Sequence, residues 1–380
     1  MRSTTFLIFF SIVLIIYGSV NYYLFARGLQ AFSLNQPMRR WYIAIFWTIA
    51  AMFIVGSVLE RTATSVFAEW IYRIGAFWMA YMLYLFMAVV LIDLVRMLNY
   101  FFHFLPPFSQ LMRFRLGVIV FALATLVVVG GHINALWINV REIPLTIHKK
   151  VTGAQEVKIL MASDIHLGAL IGERREKHLL DIIKKQKPDL VLLCGDLVDG
   201  EIAPVLRKNL GGHIQEIKTP LGVYAISGNH EYIGGINKTL PYLKSINIQL
   251  LMDQTITLPN GIQLVGRKDR SAGRGSNGLK PLSELLAGVD SLKPVIVMNH
   301  QPYNLEEATG VNVDLHLSGH THHGQLWPFN YITKRMFELS WGLMKKGTTN
   351  FYVSSGYGTW GPPVRTGNRP EVVIFNLKFE

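Results

Sequence analysis

Beyond residue 156, five short apolar runs each lead into side chains that can hold a metal ion. They are Asp164-Ile165-His166, Gly195-Asp196-Leu197-Val198-Asp199, Gly228-Asn229-His230-Glu231, Asn299-His300 and Gly319-His320-Thr321-His322. Carboxylates, amide oxygens and imidazoles form a hard-to-borderline donor set that suits Mn, Fe or Zn. The single cysteine, Cys194, leaves no thiolate cluster to compete and excludes an internal disulfide framework. The chemistry implied is a pair of divalent ions. Alternation along an extended segment would point Asp164 and His166 to one side, so that both reach one ion. Gly195, Gly228 and Gly319 each precede a candidate ligand, where a missing Cβ lets the backbone turn sharply and come close.

Singly, these signals are ordinary. An Asp after a strand usually caps a turn or helix, and Asn229 alone reads as a turn residue. Their force lies in the combination, because all five follow an apolar run.

The elements that must gather these residues are legible as an α/β pattern of short apolar runs and amphipathic stretches. Strands are expected at Val157–Ala162, Leu190–Cys194, Val223–Ile226, Val295–Met298, Asp314–Leu317, Phe351–Ser354 and Glu371–Asn376. A hairpin is expected from Thr255–Leu258 and Ile262–Val265 around Pro259-Asn260-Gly261, making about eight strands in all. Glu173–Lys187 is charged on one face, carries Leu179, Leu180, Ile182 and Ile183 on the other and is stopped by Pro188, which predicts a helix. In open α/β sheets the carboxyl ends of the strands share one crevice, so distant residues converge there.

With these motifs in view, the series Asp164-x-His166, Gly195-Asp196, Gly228-Asn229-His230-Glu231, His300 and Gly319-His320-x-His322 resembles the calcineurin-like metallophosphoesterase family over nearly the whole of residues 141–380. Gly324-Gln325, Ser355-Gly356-Tyr357-Gly358 and Pro362-Pro363-Val364-Arg365 resemble its bacterial membrane-attached branch, some members of which act on lipid-linked phosphates. The resemblance implies a four-layer αββα sandwich. It also implies a first ion on Asp164, His166 and His322, a second on Asn229, His300 and His320, and Asp196 as the bridge between them. A hydroxide bridging the ions would attack phosphorus, while His230 neutralises the phosphoryl oxygens and protonates the leaving alkoxide. His323 departs from the glycine of many relatives and bears on substrate preference. Glu231 and Asp199 are candidates for orienting a histidine.

Residues 1–140 belong to a different solvent. They carry nine Arg, no Lys and three acidic residues. Apolar stretches at about Thr4–Phe25, Trp41–Leu59, Ile74–Ile92 and Leu116–Leu136 are long enough to cross a hydrocarbon core. The chain is therefore expected to be a multi-pass cell-membrane protein, with a four-helix transmembrane domain at 1–140 and a catalytic domain at 141–380. Gly18, Ser19 and Val20 would suit a signal peptidase, but the first apolar run is too long for one, which favours an uncleaved anchor. Arg27, Arg39, Arg40, Arg96, Arg113 and Arg115 in two loops outnumber Arg2, Arg61 and Arg73 on the other side. Counted over loops and amino terminus alone, this puts the catalytic domain on the non-cytoplasmic side, while adding Arg141, Lys149 and Lys150 beyond the last span makes the two sides equal.

The net charge of +12 sits largely beside apolar spans and reads as basic flanks facing anionic lipid. No nucleic-acid partner is expected, since a basic groove with interleaved aromatics is missing. Arg267, Arg270 and Arg274 form a short basic loop suited to clamping a phosphate, with a solvated loop as the alternative. His316 and Cys194 read as structural. Ile332–Lys346 mixes aromatics with Lys and Arg, a composition suited either to a lipid surface or to packing against the domain's own sheet. The leading expectation is a membrane-anchored phosphoesterase acting on a phosphate ester or pyrophosphate, lipid-linked substrates included. The alternative is a membrane sensor or scaffold with a structural or degenerate metal site.

Overall fold

The computed structural model describes residues 2–63, 65–153, 155–273 and 279–380. The chain divides into two compact units, one of residues 1–59 with 65–132 and one of 60–64 with 133–380.

The first unit is built from α1 (Arg2–Phe32), α2 (Gln36–Thr62), α3 (Val66–Phe102) and α4 (Gln110–Leu136). All four are long and apolar enough to cross a membrane. They overrun the expected spans by up to ten residues, so Arg27 and Arg96, expected in loops, lie inside α1 and α3. Small residues let α2 and α3 approach closely: a Cβ on Gly56 would sit 2.5 Å from the Tyr72 backbone. Asn21, fully buried, accepts from Trp78 Nε1 at 2.9 Å. The Ser65 hydroxyl caps α3 by accepting from Ala68 N at 3.1 Å.

The second unit contains β1 (Asn139–Ile147), β2 (Glu156–Ala162), α5 (Glu173–Gln186), β3 (Leu190–Cys194), β4 (Val223–Ile226), β5 (Gln249–Leu250), β6 (Gln254–Thr257) and β7 (Gln263–Gly266). β8 (Val295–Met298), β9 (Leu315–Ser318), β10 (Gly342–Lys346), β11 (Thr349–Val353) and β12 (Glu371–Phe379) follow. They form two six-stranded sheets, ordered β1-β12-β2-β3-β4-β5 and β10-β11-β9-β8-β7-β6.

Period-two alternation builds the layers. Ile159, Met161 and Leu192 of the first sheet pack against Leu264, Ile296 and Leu317 of the second. Their neighbours Leu160, Val191 and Leu193 turn outward onto Leu179, Leu180, Ile182 and Ile183 of α5. Val265, Val295 and Val297 meet Leu282 and Leu285 on the opposite outer face. The result is the four-layer αββα sandwich, and each such buried side chain contributes roughly 1.5–3 kcal/mol.

β2, β3 and β4 run parallel, as do β7, β8 and β9, so their carboxyl ends present the motif residues. Among the described residues there are twelve strands, more than the nine ranges expected. β1 and β10 are edge strands, where pairing is single-sided and Pro144 is tolerated in β1. Ile332–Lys346 divides between the two expectations: its start lies in the helix Phe329–Met336 and its end forms β10, paired onto β11 of the sheet.

Candidate metal centre

Backbone pairing between loops brings the first two motifs together. Asp164 N donates to Gly195 O at 3.0 Å, and His166 N donates to Asp196 O at 3.0 Å. Asp164 and His166 do converge, but not through an extended segment. Both have left-handed φ, 54° and 55°, as do Asp196 (52°), His320 (72°) and His322 (45°). Such conformations cost on the order of 1–3 kcal/mol each and persist only where surrounding contacts impose them. Glycine is required where the loops touch: a Cβ on Gly319 would lie 2.4 Å from Asp164 Oδ2, and one on Gly228 2.1 Å from Asp196 Oδ1.

Among the described residues three groups of donor atoms result, each within 4.8 Å: Asp164 with His166 and His322, Asp196 with His300 and His320, and His166 with Asp199 and His230. In the first, His166 Nε2 and His322 Nε2 are 3.1 Å apart and His322 Nε2 is 3.5 Å from Asp164 Oδ1. In the second, Asn229 Oδ1 lies 2.8 Å from His320 Nδ1 and 3.2 Å from His300 Nε2. Asp196 Oδ2 stands between them, 3.0 Å from His300 Nε2 and 3.9 Å from His166 Nε2. All seven residues expected as ligands are thus in one place. Ring nitrogens facing each other at 3.1 Å, buried beside carboxylates, form a donor set that fits divalent cations. His300 Nδ1 lies 2.8 Å from the Cys194 carbonyl; donating there leaves the Nε2 lone pair for the site.

The electrostatics are those of a buried acid–imidazole network. Burial alone would raise Asp196, but His300, His230 and His166 outweigh it and hold the carboxyl well below its usual range. Burial together with neighbouring His166 and Arg365 keeps His322 well below the ordinary histidine value, in the neutral form that offers a lone pair.

His230 stands beside the clusters with Nδ1 3.0 Å from Asp199 Oδ1. Burial lowers its pKa, but the Asp199 hydrogen bond and the Asp196 charge raise it further, to about 9. Asp199 Oδ1 also lies 3.2 Å from His166 Nδ1, without hydrogen-bond geometry there, and it orients His230. Glu231 does not. Its carboxylate accepts backbone N–H groups of Asp196, Val198 and Gly228 at 3.2, 3.0 and 2.6 Å, lacing the second motif to the third.

Arg267 is buried and paired with Glu307 at 3.1 Å, so it belongs to the structure rather than to a phosphate clamp. Arg270 stacks on Tyr303, 4.3 Å from the ring centre, and Arg274 falls outside the described residues. His323 is buried with its ring against Trp341 and Nδ1 3.3 Å from Ser340 Oγ. His316 is buried against Phe351, in keeping with a structural role. Arg365 enters the sequence pattern only through Pro362-Pro363-Val364-Arg365. It is fully buried, with Nη2 3.1 Å from His322 Nδ1 and donating to Gly358 O at 2.6 Å. An Arg after Pro-Pro-Val carries no local signal of such a contact.

The sequence model described as calcineurin-like phosphoesterase matches residues 157–324. An uncharacterized metallophosphoesterase of Aquifex aeolicus is 34% identical over 67% of this chain and 98% of its own length. One of Campylobacter jejuni is 29% identical over 98% of this chain and 99% of its own. A bovine transmembrane protein with metallophosphoesterase domain is 30% identical over 67% of this chain and 60% of its own.

Proposed function

The chain belongs to the calcineurin-like metallophosphoesterase family, and from that premise we propose that it is a membrane-anchored, dinuclear phosphoesterase, with residues 1–140 in the bilayer and 141–380 catalytic. Asp164, His166 and His322 would hold one divalent ion and Asn229, His300 and His320 the other, with the Asp196 carboxylate within reach of both sets. The ions are Mn, Fe or Zn, all compatible with this donor set. When bound, such a pair supplies an activated water nucleophile near neutral pH and neutralises charge on the phosphoryl oxygens.

The chain's own residues do the rest. Asp199, 3.0 Å from His230 Nδ1, raises the pKa of that ring, which suits His230 to donate a proton to the leaving alkoxide. Asn229, His230 and His320 are the partly exposed members of the set, which supports substrate entry on their side. Trp360, 6.4 Å from the His230 ring and about half exposed, offers an apolar surface there. Exposed Trp327, Tyr331, Lys334 and Arg335 likewise favour an amphiphilic, lipid-linked phosphate as substrate. The arginine distribution favours a non-cytoplasmic catalytic domain.

The observation that carries this reading is the position of the Asp196 carboxylate within 3.0 and 3.9 Å of imidazoles from the two clusters. Its test is metal analysis together with hydrolysis of a chromogenic phosphodiester by the wild type, Asp196→Asn and His230→Ala. Loss of activity in both variants, with metal loss in Asp196→Asn, is the expected result. Equal activity in all three would favour the sensor or scaffold reading instead.

A further inference from the structure

A cavity of about 390 Å³ opens among α1, α2, α3 and α4, within the range of sites that take small molecules. Much of its wall is apolar, including Leu24, Phe46, Leu85, Leu116 and Val120. Toward the end of α1, the end of α3 and the start of α4 the lining turns ionic, with Arg27, Asp93, Arg96 and Arg113. Along α3, Leu85 to Arg96 rises roughly 16 Å, about the depth of one bilayer leaflet.

The ionic end is not neutral. Arg27 Nη2 lies 2.6 Å from Asp93 Oδ2, and Arg96 Nη1 lies 3.0 Å from Asp93 Oδ1. One carboxylate, which also accepts from the Tyr23 hydroxyl, therefore serves two guanidiniums. Arg113 has no acidic side chain within ion-pair distance among the described residues. Three guanidiniums against one carboxylate leave positive charge at the mouth of an apolar chamber. Unbalanced charge beside hydrocarbon is costly unless a counter-charge settles there.

We propose that this chamber binds one anionic phospholipid, its phosphate at Arg113 and Arg96 and an acyl chain along Leu85, Leu116 and Val120. Basic pockets between membrane helices select anionic headgroups in this way. A free phosphate would leave the apolar wall facing water, and a zwitterionic headgroup would bring its own cation against the arginines. The site lies within residues 24–121 and does not depend on the metal centre, so binding is measured without turnover.

The test titrates the full-length protein in detergent micelles with fluorescent phosphatidylglycerol, and uses phosphatidylcholine and inorganic phosphate as competitors. Saturable binding of one phosphatidylglycerol per chain is expected, undisplaced by either competitor. Arg113→Gln should weaken it about fivefold or more, Arg113→Lys should stay close to wild type, and Val120→Trp should weaken it by filling the chamber. Thermal melts identify variants that fold; if Val120→Trp does not, the Arg113 pair decides. Equal affinity for phosphatidylcholine, displacement by inorganic phosphate, or unchanged binding in Arg113→Gln would overturn the proposal.

Discussion

The Oδ1 atom of Asp199 lies 3.0 Å from His230 Nδ1, and the same oxygen lies 3.2 Å from Nδ1 of His166. One carboxylate thus governs a candidate acid and a candidate ligand at once. Holding the His230 ring by Nδ1 leaves its Nε2 free for the site.

The first expectation concerns pH. His230, raised to about 9, is protonated below that value and loses its proton above it, so an acid role gives a rate that falls on the alkaline side. Bound cations lower it somewhat, placing the limb at or below about 9. Asp199→Asn removes the charge that raises His230 and should move the limb to lower pH, with about 10- to 100-fold weaker metal binding. A pH profile of kcat/KM and metal content per chain read both effects.

Arg365 supplies a second case. Its guanidinium donates to Gly358 O and lies against His322 Nδ1 from a fully buried position. Lysine cannot reproduce that planar fork. Arg365→Lys should lower metal affinity about tenfold or more and destabilise the domain; competition with a chelator and a thermal melt measure the two.

At the loop contact, space decides. Gly319→Ala puts a methyl group 2.4 Å from Asp164 Oδ2 and 2.6 Å from Ser163 Oγ. Overpacking of this kind costs about 1–3 kcal/mol, and here it also displaces a candidate ligand. We expect a lower unfolding midpoint together with reduced metal content, whereas Gly153→Ala, with open space around it but a φ of +88°, should affect stability alone.

Acid sensitivity should trace partly to His316. Burial, reinforced by Arg267, lowers its pKa from 6.5 to about 3. Between those values the unfolded chain carries the proton and the folded one does not, so stability falls as pH falls. The contribution is on the order of 3 kcal/mol at pH 4. His316→Leu should flatten this dependence; melts of chelator-treated protein from pH 7 to pH 4, wild type against variant, test it.

The ligand set was readable because each member follows a strand whose apolar run is unmistakable, and because parallel strands deliver their carboxyl ends to one side. What the sequence does not carry is the local path. Asp164 and His166 sit in left-handed conformations, a state forced by contacts with Gly195 and Asp196 that no neighbouring residue announces. Glu231 looked like a partner for a ring and instead holds three backbone amides, since its direction depends on how two distant loops meet.

Core strands such as Leu190–Cys194 and Val295–Met298 form at their expected bounds, because burial on both faces makes them continuous apolar runs. β1 and β10 escaped because an edge strand needs only one partner and tolerates Pro144 or a run such as Lys345-Lys346. Membrane helices were found but cut short, since their ends carry Arg and aromatic residues that no longer read as hydrocarbon.

Only Trp137 and Ile138 separate the end of α4 from β1, and β1 zips in parallel register onto β12, Asn139 against Glu371 through Ile147 against Phe379. Some 230 residues of polypeptide must be synthesised between the two halves of that seam. During translation β1 waits unpaired until β12 leaves the ribosome, so this margin of the sheet closes late, and truncation before Glu371 would leave both β1 and β2 with a bare edge open to pairing with other chains.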